Sequence, residues 1–245
     1  ASDDQGMMRF RNDEFIRTLD PDIFSHGRLL RRFPGSDACR FSARVALNLL
    51  ERVDDRPRGS RPRILWDPFC GAGMIPCVAL AAFPGKFDVV VASDINGEAV
   101  ACALGNLNIV CDSAAFAARR AQIHKSRGMN QGMDRRGAII EAYMAELEPI
   151  LMTNPATVTI GALRGDAFRL PAVSGDVHFV ADLPHENQSQ LLGGPLSELL
   201  PSLRSAFPDA TATFVTTRDA VEQLCHSTPG VQLRDLAHGR VVVRL

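Results

Sequence analysis

Three aspartates stand just past apolar runs, where a carboxylate can meet a ligand. Asp67 follows Ile64-Leu65-Trp66 and precedes Pro68-Phe69-Cys70-Gly71-Ala72-Gly73, Asp94 closes the run Phe87 to Ser93, and Asp166 lies in Gly165-Asp166-Ala167-Phe168 after Thr157 to Leu163. A carboxylate accepts hydrogen bonds from vicinal hydroxyls and repels a phosphate, so Asp94 points to a free ribose. Asp67, ahead of the glycines, suits a cationic ligand group. Gly71 and Gly73 lack the Cβ that would hold a ligand off the backbone, and they tolerate the positive φ of a strand-to-helix turn. Pro76 stands where a dinucleotide fingerprint needs a third small residue; a helix accepts proline in its first turn, so the helix is expected and the pyrophosphate site is not. Phe69 and Cys70 read as pocket wall, with Ile95 and Ala167 beside the second and third acids.

A fourth acid has a different setting. Asp182 lies in Ala181-Asp182-Leu183-Pro184-His185-Glu186-Asn187, directly after His178-Phe179-Val180. The run resembles the Asp/Asn-Pro-Pro-Tyr/Phe motif of methyltransferases acting on exocyclic amines of nucleobases, and the resemblance implies the acceptor: an amine conjugated to a ring is a poor nucleophile, and acceptors from Asp182 and a loop carbonyl can hydrogen-bond its N–H groups and favour pyramidalisation. Positioning then supplies much of the acceleration. Pro184 fixes φ and so directs those carbonyls, while His185 can stack on a base, act as a base itself or bond a phosphate. Asp182, Leu183, Pro184 and His185 are therefore the catalytic candidates.

These residues need strands that end together. Apolar periodicity and turn residues predict a helix within 40–52, strand 64–67, helix 74–83, strand 87–93, helix 97–109, strand 157–163, strand 177–181, helix 191–206, strand 211–216 and helix 218–226. Repeated β/α units demand a mostly parallel sheet, with ligands beyond the strand C-termini. Val231 to Leu236 and Arg240 to Leu245 flank Ala237-His238-Gly239 as an antiparallel hairpin.

With 245 residues, 46% of them hydrophobic, the chain can bury a sizeable core. The expected division is an N-terminal basic extension over 1–63 and a main domain over 64–245, interrupted by a helical insertion at about 112–155. No run approaches the ~20 apolar residues of a membrane span and the N-terminal residues do not resemble a signal peptide, so the cytoplasm is the expected location. The six cysteines form no C-x-x-C pair and read as buried thiols, and no histidine spacing suits a metal. Formal charge is only −1, yet basic residues cluster. The insertion carries Arg119, Arg120, Lys125, Arg127, Arg135 and Arg136 against Asp134, and the N-terminal segment carries Arg28, Arg31, Arg32, Arg40 and Arg44 against Asp37. Such patches attract a phosphate backbone even in a nearly neutral protein.

Asp-Pro-Phe-Cys-Gly-Ala-Gly followed by Ala-Ser-Asp-Ile-Asn resembles the first two motifs of class I S-adenosylmethionine-dependent methyltransferases. The resemblance implies a Rossmann-like seven-stranded sheet closed by an antiparallel hairpin. It also implies that Asp67 approaches the methionine ammonium, Asp94 the ribose and Asp166 the adenine. Asp182-Leu183-Pro184 is similar to the Asp-Leu-Pro-Tyr motif of RNA guanine methyltransferases. From about residue 28 onward the chain resembles the avilamycin-resistance type of 23S ribosomal RNA methyltransferase, through Leu-Trp-Asp-Pro-x-Cys-Gly-x-Gly, Ala-Ser-Asp, Asn106-Leu107, the basic insertion and Asp-Leu-Pro. That likeness implies methyl transfer to a ribosomal RNA base, guanine foremost, and antibiotic resistance as the benefit. Here His185-Glu186 replaces the family's Tyr-Gly. Two other readings stay open: a small-molecule methyltransferase of secondary metabolism, with the insertion as a lid, and a cofactor- or RNA-binding module without turnover. Oligomeric state has no signal in these residues.

Overall fold

The computed structural model describes residues 24, 29–33, 43–51, 53, 59–128, 141–142, 144–145, 147–149, 158–183, 193–226, 228–236 and 239–245. Helix α1 (Ala43–Glu51) precedes β1 (Arg63–Asp67), α2 (Met74–Ala82), β2 (Val89–Asp94) and α3 (Gly97–Cys111). The insertion follows as α4 (Ser113–Gly128) and a helical stretch within 141–149. Then come β3 (Thr159–Arg164), β4 (Asp176–Asp182), α5 (Leu196–Ala206), β5 (Thr211–Thr217), α6 (Arg218–Cys225), β6 (Gln232–Asp235) and β7 (Arg240–Arg244).

The seven strands form one sheet in the order β3-β2-β1-β4-β5-β7-β6, parallel except where β7 pairs antiparallel with β5 and β6. The expected mostly parallel sheet and closing hairpin are both present. From β1 the chain winds outward to β2 and β3, then returns to β4 on the other side. The crevice between β1 and β4 is thus the topological switch point, where open α/β sheets bind ligands.

Burial explains the elements. All nine residues of α2 are buried, because this helix is covered on every side. Val90, Ala92 and Leu65 share one apolar layer with α1, α2, α3 and the N-terminal residues Phe24, Leu29 and Leu30. On the opposite face Trp66 meets Phe179 and Phe207 at centroid distances of 5.8 and 5.9 Å, and its indole N–H donates to Ser93 Oγ at 2.8 Å.

The expected element order holds, with shifted boundaries. β2 starts at Val89, two residues after Phe87, and Asp88 just ahead of it accepts from the Arg63 backbone N–H through its side chain at 2.8 Å. Helix α5 starts at Leu196 with Pro195 as its N-cap, behind Gly193-Gly194, where a longer helix over 191–206 was expected. No single helix among the described residues is long and apolar enough to cross a membrane.

Candidate active site

Asp67, Asp94 and Asp182 are the last residues of β1, β2 and β4, so the fold delivers three acids to one edge of the sheet around its switch point. Asp166 follows two residues beyond β3, and the Gly165 N–H donates to the Asp94 carbonyl at 3.0 Å. The expected convergence of acids at successive strand ends is what the chain builds.

Between β1 and α2 the turn is held by the neighbouring strand. Cys70 N–H donates to the Ser93 carbonyl at 2.9 Å and Gly71 N–H to Asp94 Oδ2 at 3.0 Å, while Asp94 Oδ1 accepts from Asn96 N–H at 2.9 Å. Asp94 thus braces the glycine turn while keeping lone pairs for hydroxyls. Gly71 has φ 50° and Gly73 φ 80°, but for different ends. A Cβ on Gly73 would lie 3.0 Å from the Ala103 Cβ and 3.1 Å from its Cα, so this glycine lets α2 and α3 pack. A Cβ on Gly71 would meet nothing within 4 Å, so this glycine faces open space that a ligand can fill.

Electrostatics sort ligands for that space. Asp67 is 2% exposed, and burial pushes its carboxyl well above the usual range. The Phe69 N–H, donating to Asp67 Oδ1 at 3.1 Å, opposes the shift, and the charges of Asp94 and Asp182 add to it. A buried acid beside two others calls for a cation, and the open cradle at Gly71 calls for a close ligand backbone contact. A cationic group, vicinal hydroxyls and a base bearing N–H groups are what carboxylates so placed can hold, and S-adenosylmethionine offers all three. Cys70 lies in the same turn with its thiol pushed well up by burial, which disfavours the thiolate that a nucleophile needs. Phe69 and Ile95 are half-buried and Ala167 is buried alongside.

The loop after β3 has a feature without local sequence signal. Asp166 Oδ1 accepts from Phe168 N–H at 3.0 Å, and Gly193, at φ 123°, packs so closely that a Cβ there would collide with the Asp166 carboxylate. Gly194 lies against the Phe168 ring. The chain leaving β4 therefore returns to the third acid before entering α5.

Asp182 is paired with Arg240, the first residue of β7. Leu183 is buried, and its N–H donates to the Val215 carbonyl at 2.9 Å, continuing the β4–β5 ladder past the acid. Pro184 and His185 lie outside the described residues. In the sequence Arg240 marks the start of the closing strand and carries no motif of a site residue. Its usable signal is positional, since an arginine opening an antiparallel closing strand sits at the ligand edge of a parallel sheet.

The basic candidates separate. Arg31 and Arg32 are exposed beside the cofactor turn because buried Asn106 ties their segment there. Asn106 Oδ1 accepts from Arg31 N–H at 2.7 Å, and its Nδ2 donates to the Arg31 carbonyl at 3.1 Å and the Ala72 carbonyl at 2.8 Å. Arg119 donates to the Leu29 carbonyl at 2.8 Å, strapping the same segment to α4, and lies close enough to Arg31 for the two charges to repel. Arg120 faces Glu141 and Glu148, which balance its charge inside the insertion. Lys125 is exposed, Arg127 belongs to the last turn of α4, and Arg28, Arg40, Arg135 and Arg136 lie outside the described residues.

Comparison with known proteins adds independent findings. The family model described as rRNA methyltransferase AviRa matches residues 8–240. The 23S rRNA (guanine(2535)-N(1))-methyltransferase of Streptomyces viridochromogenes is 26% identical over 216 residues, 83% of either chain. Two solved structures of rRNA methyltransferase AviRa from the same organism superpose with TM-scores of 0.71 and 0.69, at 21% identity and 93% coverage of both chains. At that identity they speak for the fold.

Proposed function

The chain belongs to the AviRa family of rRNA methyltransferases, and on that premise we propose that it methylates N1 of a guanine in 23S ribosomal RNA, with Asp182 as the acid on the acceptor side. It is a methyltransferase whose donor is S-adenosylmethionine. That cofactor supplies, when bound, an electrophilic methyl group on a sulfonium.

The observation that carries the reading is the closeness of Asp182 to the cofactor acids, close enough for its charge to act on buried Asp67. Acceptor chemistry and cofactor chemistry thus share one crevice between β1 and β4. N1 of guanine holds a proton in its neutral form, so a base must accept that proton as the N–C bond forms. Asp182 would accept it and return it to solvent. The task differs from that inferred for an exocyclic amine, where an acceptor encourages pyramidalisation, yet the same carboxylate serves both. Leu183, tied to β5, sets the depth at which the acid meets the base. Arg31, Arg32, Arg119, Lys125 and Arg127 would hold the RNA backbone, and Pro184 and His185 would complete the base pocket. The benefit to the cell would be a ribosome that an antibiotic no longer binds.

The test is transfer of labelled methyl from S-adenosylmethionine to 23S rRNA, followed by nucleoside mass spectrometry and reverse-transcription mapping. N1-methylguanine, which blocks Watson–Crick pairing, is the expected product at one position. Label found only in a small-molecule fraction would overturn the reading.

A further inference from the structure

The Asp182–Arg240 pair spans three strands. Asp182 pairs with Val215 across β4–β5, and Arg240 pairs with Thr217 across β5–β7, so the guanidinium crosses β5 at the ligand edge to reach the carboxylate. Both side chains are largely enclosed, 17% exposed for Asp182 and 18% for Arg240.

We propose that Arg240 is a positioning residue for methyl transfer, fixing the Asp182 carboxylate in the orientation from which it receives the acceptor proton. The inference rests on the role given to Asp182 above. Stability alone explains the pair poorly, because desolvating two charges offsets most of their attraction. Nor does β7 need it as an anchor: Val241, Val242 and Val243 are buried and the strand is laddered on both sides. What the ion pair supplies is direction. Asp182 acts on Asp67 across the crevice, and repulsion between the two acids would turn an untethered carboxylate outward. A cation entering from β7, on the side of β4 opposite β1, holds it against that repulsion. A planar guanidinium also fixes the plane of the carboxylate, which a lysine ammonium does less well.

A double-mutant cycle tests this. In Arg240→Gln, kcat for methylation of 23S rRNA should fall by about 100-fold, the scale of a reacting group misplaced by an ångström. The KM for RNA and the calorimetric Kd for S-adenosylhomocysteine should stay within about twofold, and Arg240→Lys should recover part of kcat. In an Asp182→Asn background, Arg240→Gln should cost nothing further. If Arg240→Gln does not fold, Arg240→Lys carries the same cycle. Additive losses in the double variant, or an effect confined to thermal stability with kcat intact, would overturn the inference and leave the role of Asp182 standing. Full activity in Asp182→Asn alone would remove that role first and the inference with it.

Discussion

Asn106 donates to the carbonyl of Ala72 at 2.8 Å, so a fully buried side chain in the middle of α3 holds the glycine turn of the cofactor site. The same amide bonds both backbone groups of Arg31, and one residue thereby joins the cofactor turn to the basic N-terminal segment. Asn106→Ala leaves three backbone groups in need of partners. It should cost about 2–3 kcal/mol, or roughly 5–10 °C in Tm, and it should weaken S-adenosylhomocysteine binding in calorimetry. An unchanged Kd would show that the turn holds its shape without Asn106.

Asp67 carries a stability cost that comes from its burial. Its carboxyl is raised in the folded protein, so between the unfolded value of about 3.9 and the folded value the native state binds more protons than the unfolded state. Stability from this group is present below the unfolded value and is lost as pH rises through the folded one. Asp67→Asn removes the titration. The variant should melt above the parent at pH 7 to 8, the difference should shrink as pH falls toward 4, and cofactor binding should be lost. A lower Tm for the variant at neutral pH would contradict the burial account.

Two glycines two residues apart should respond oppositely to alanine. Gly73→Ala drives a Cβ into Ala103 at positive φ, so destabilisation is expected. Gly71→Ala adds a methyl to open space at φ 50°, with a backbone cost of about 1 kcal/mol but direct obstruction of the ligand. Melting curves should single out Gly73 and cofactor titration should single out Gly71. Equal binding losses at equal Tm would mean that the open space is not the ligand's.

Arg31, Arg32 and Lys125 are exposed, whereas Arg120 is engaged by Glu141 and Glu148. Changing the first three to Glu should weaken RNA binding and flatten its salt dependence by roughly one in log–log slope per lost phosphate contact. Cofactor affinity should not move. Arg120→Ala should instead lower the thermal stability of the insertion and spare the salt slope, as filter binding at several salt concentrations would show.

The turn between β1 and α2 was legible because its signals are local. Apolar runs ending in Asp67 and Asp94, with Gly71 and Gly73 between them, encode a strand, a turn and a helix within a short span, and sterics do the rest. Asp182 was legible as the acid closing another apolar run. Arg240 was not, since its partner lies 58 residues away and the two meet only because β7 inserts antiparallel beside β5. The partners of Arg120 were hidden for a related reason: Glu141 and Glu148 come 21 and 28 residues later, and only the fold of the insertion brings them back. The start of α5 was placed too early because apolar Leu191 and Leu192 continue the helical pattern, while Gly193, pressed against Asp166 at positive φ, interrupts it.

Titration calorimetry with S-adenosylmethionine, on the parent chain and on Asp94→Ala, bears most directly on the crevice between β1 and β4. A single site in the parent, weakened by at least tenfold in the variant, is the expected result, since Asp94 braces the glycine turn and, on the proposed reading, would also accept from the ribose. No heat with the parent, or equal affinity in the two proteins, would contradict the assignment of these carboxylates to the cofactor.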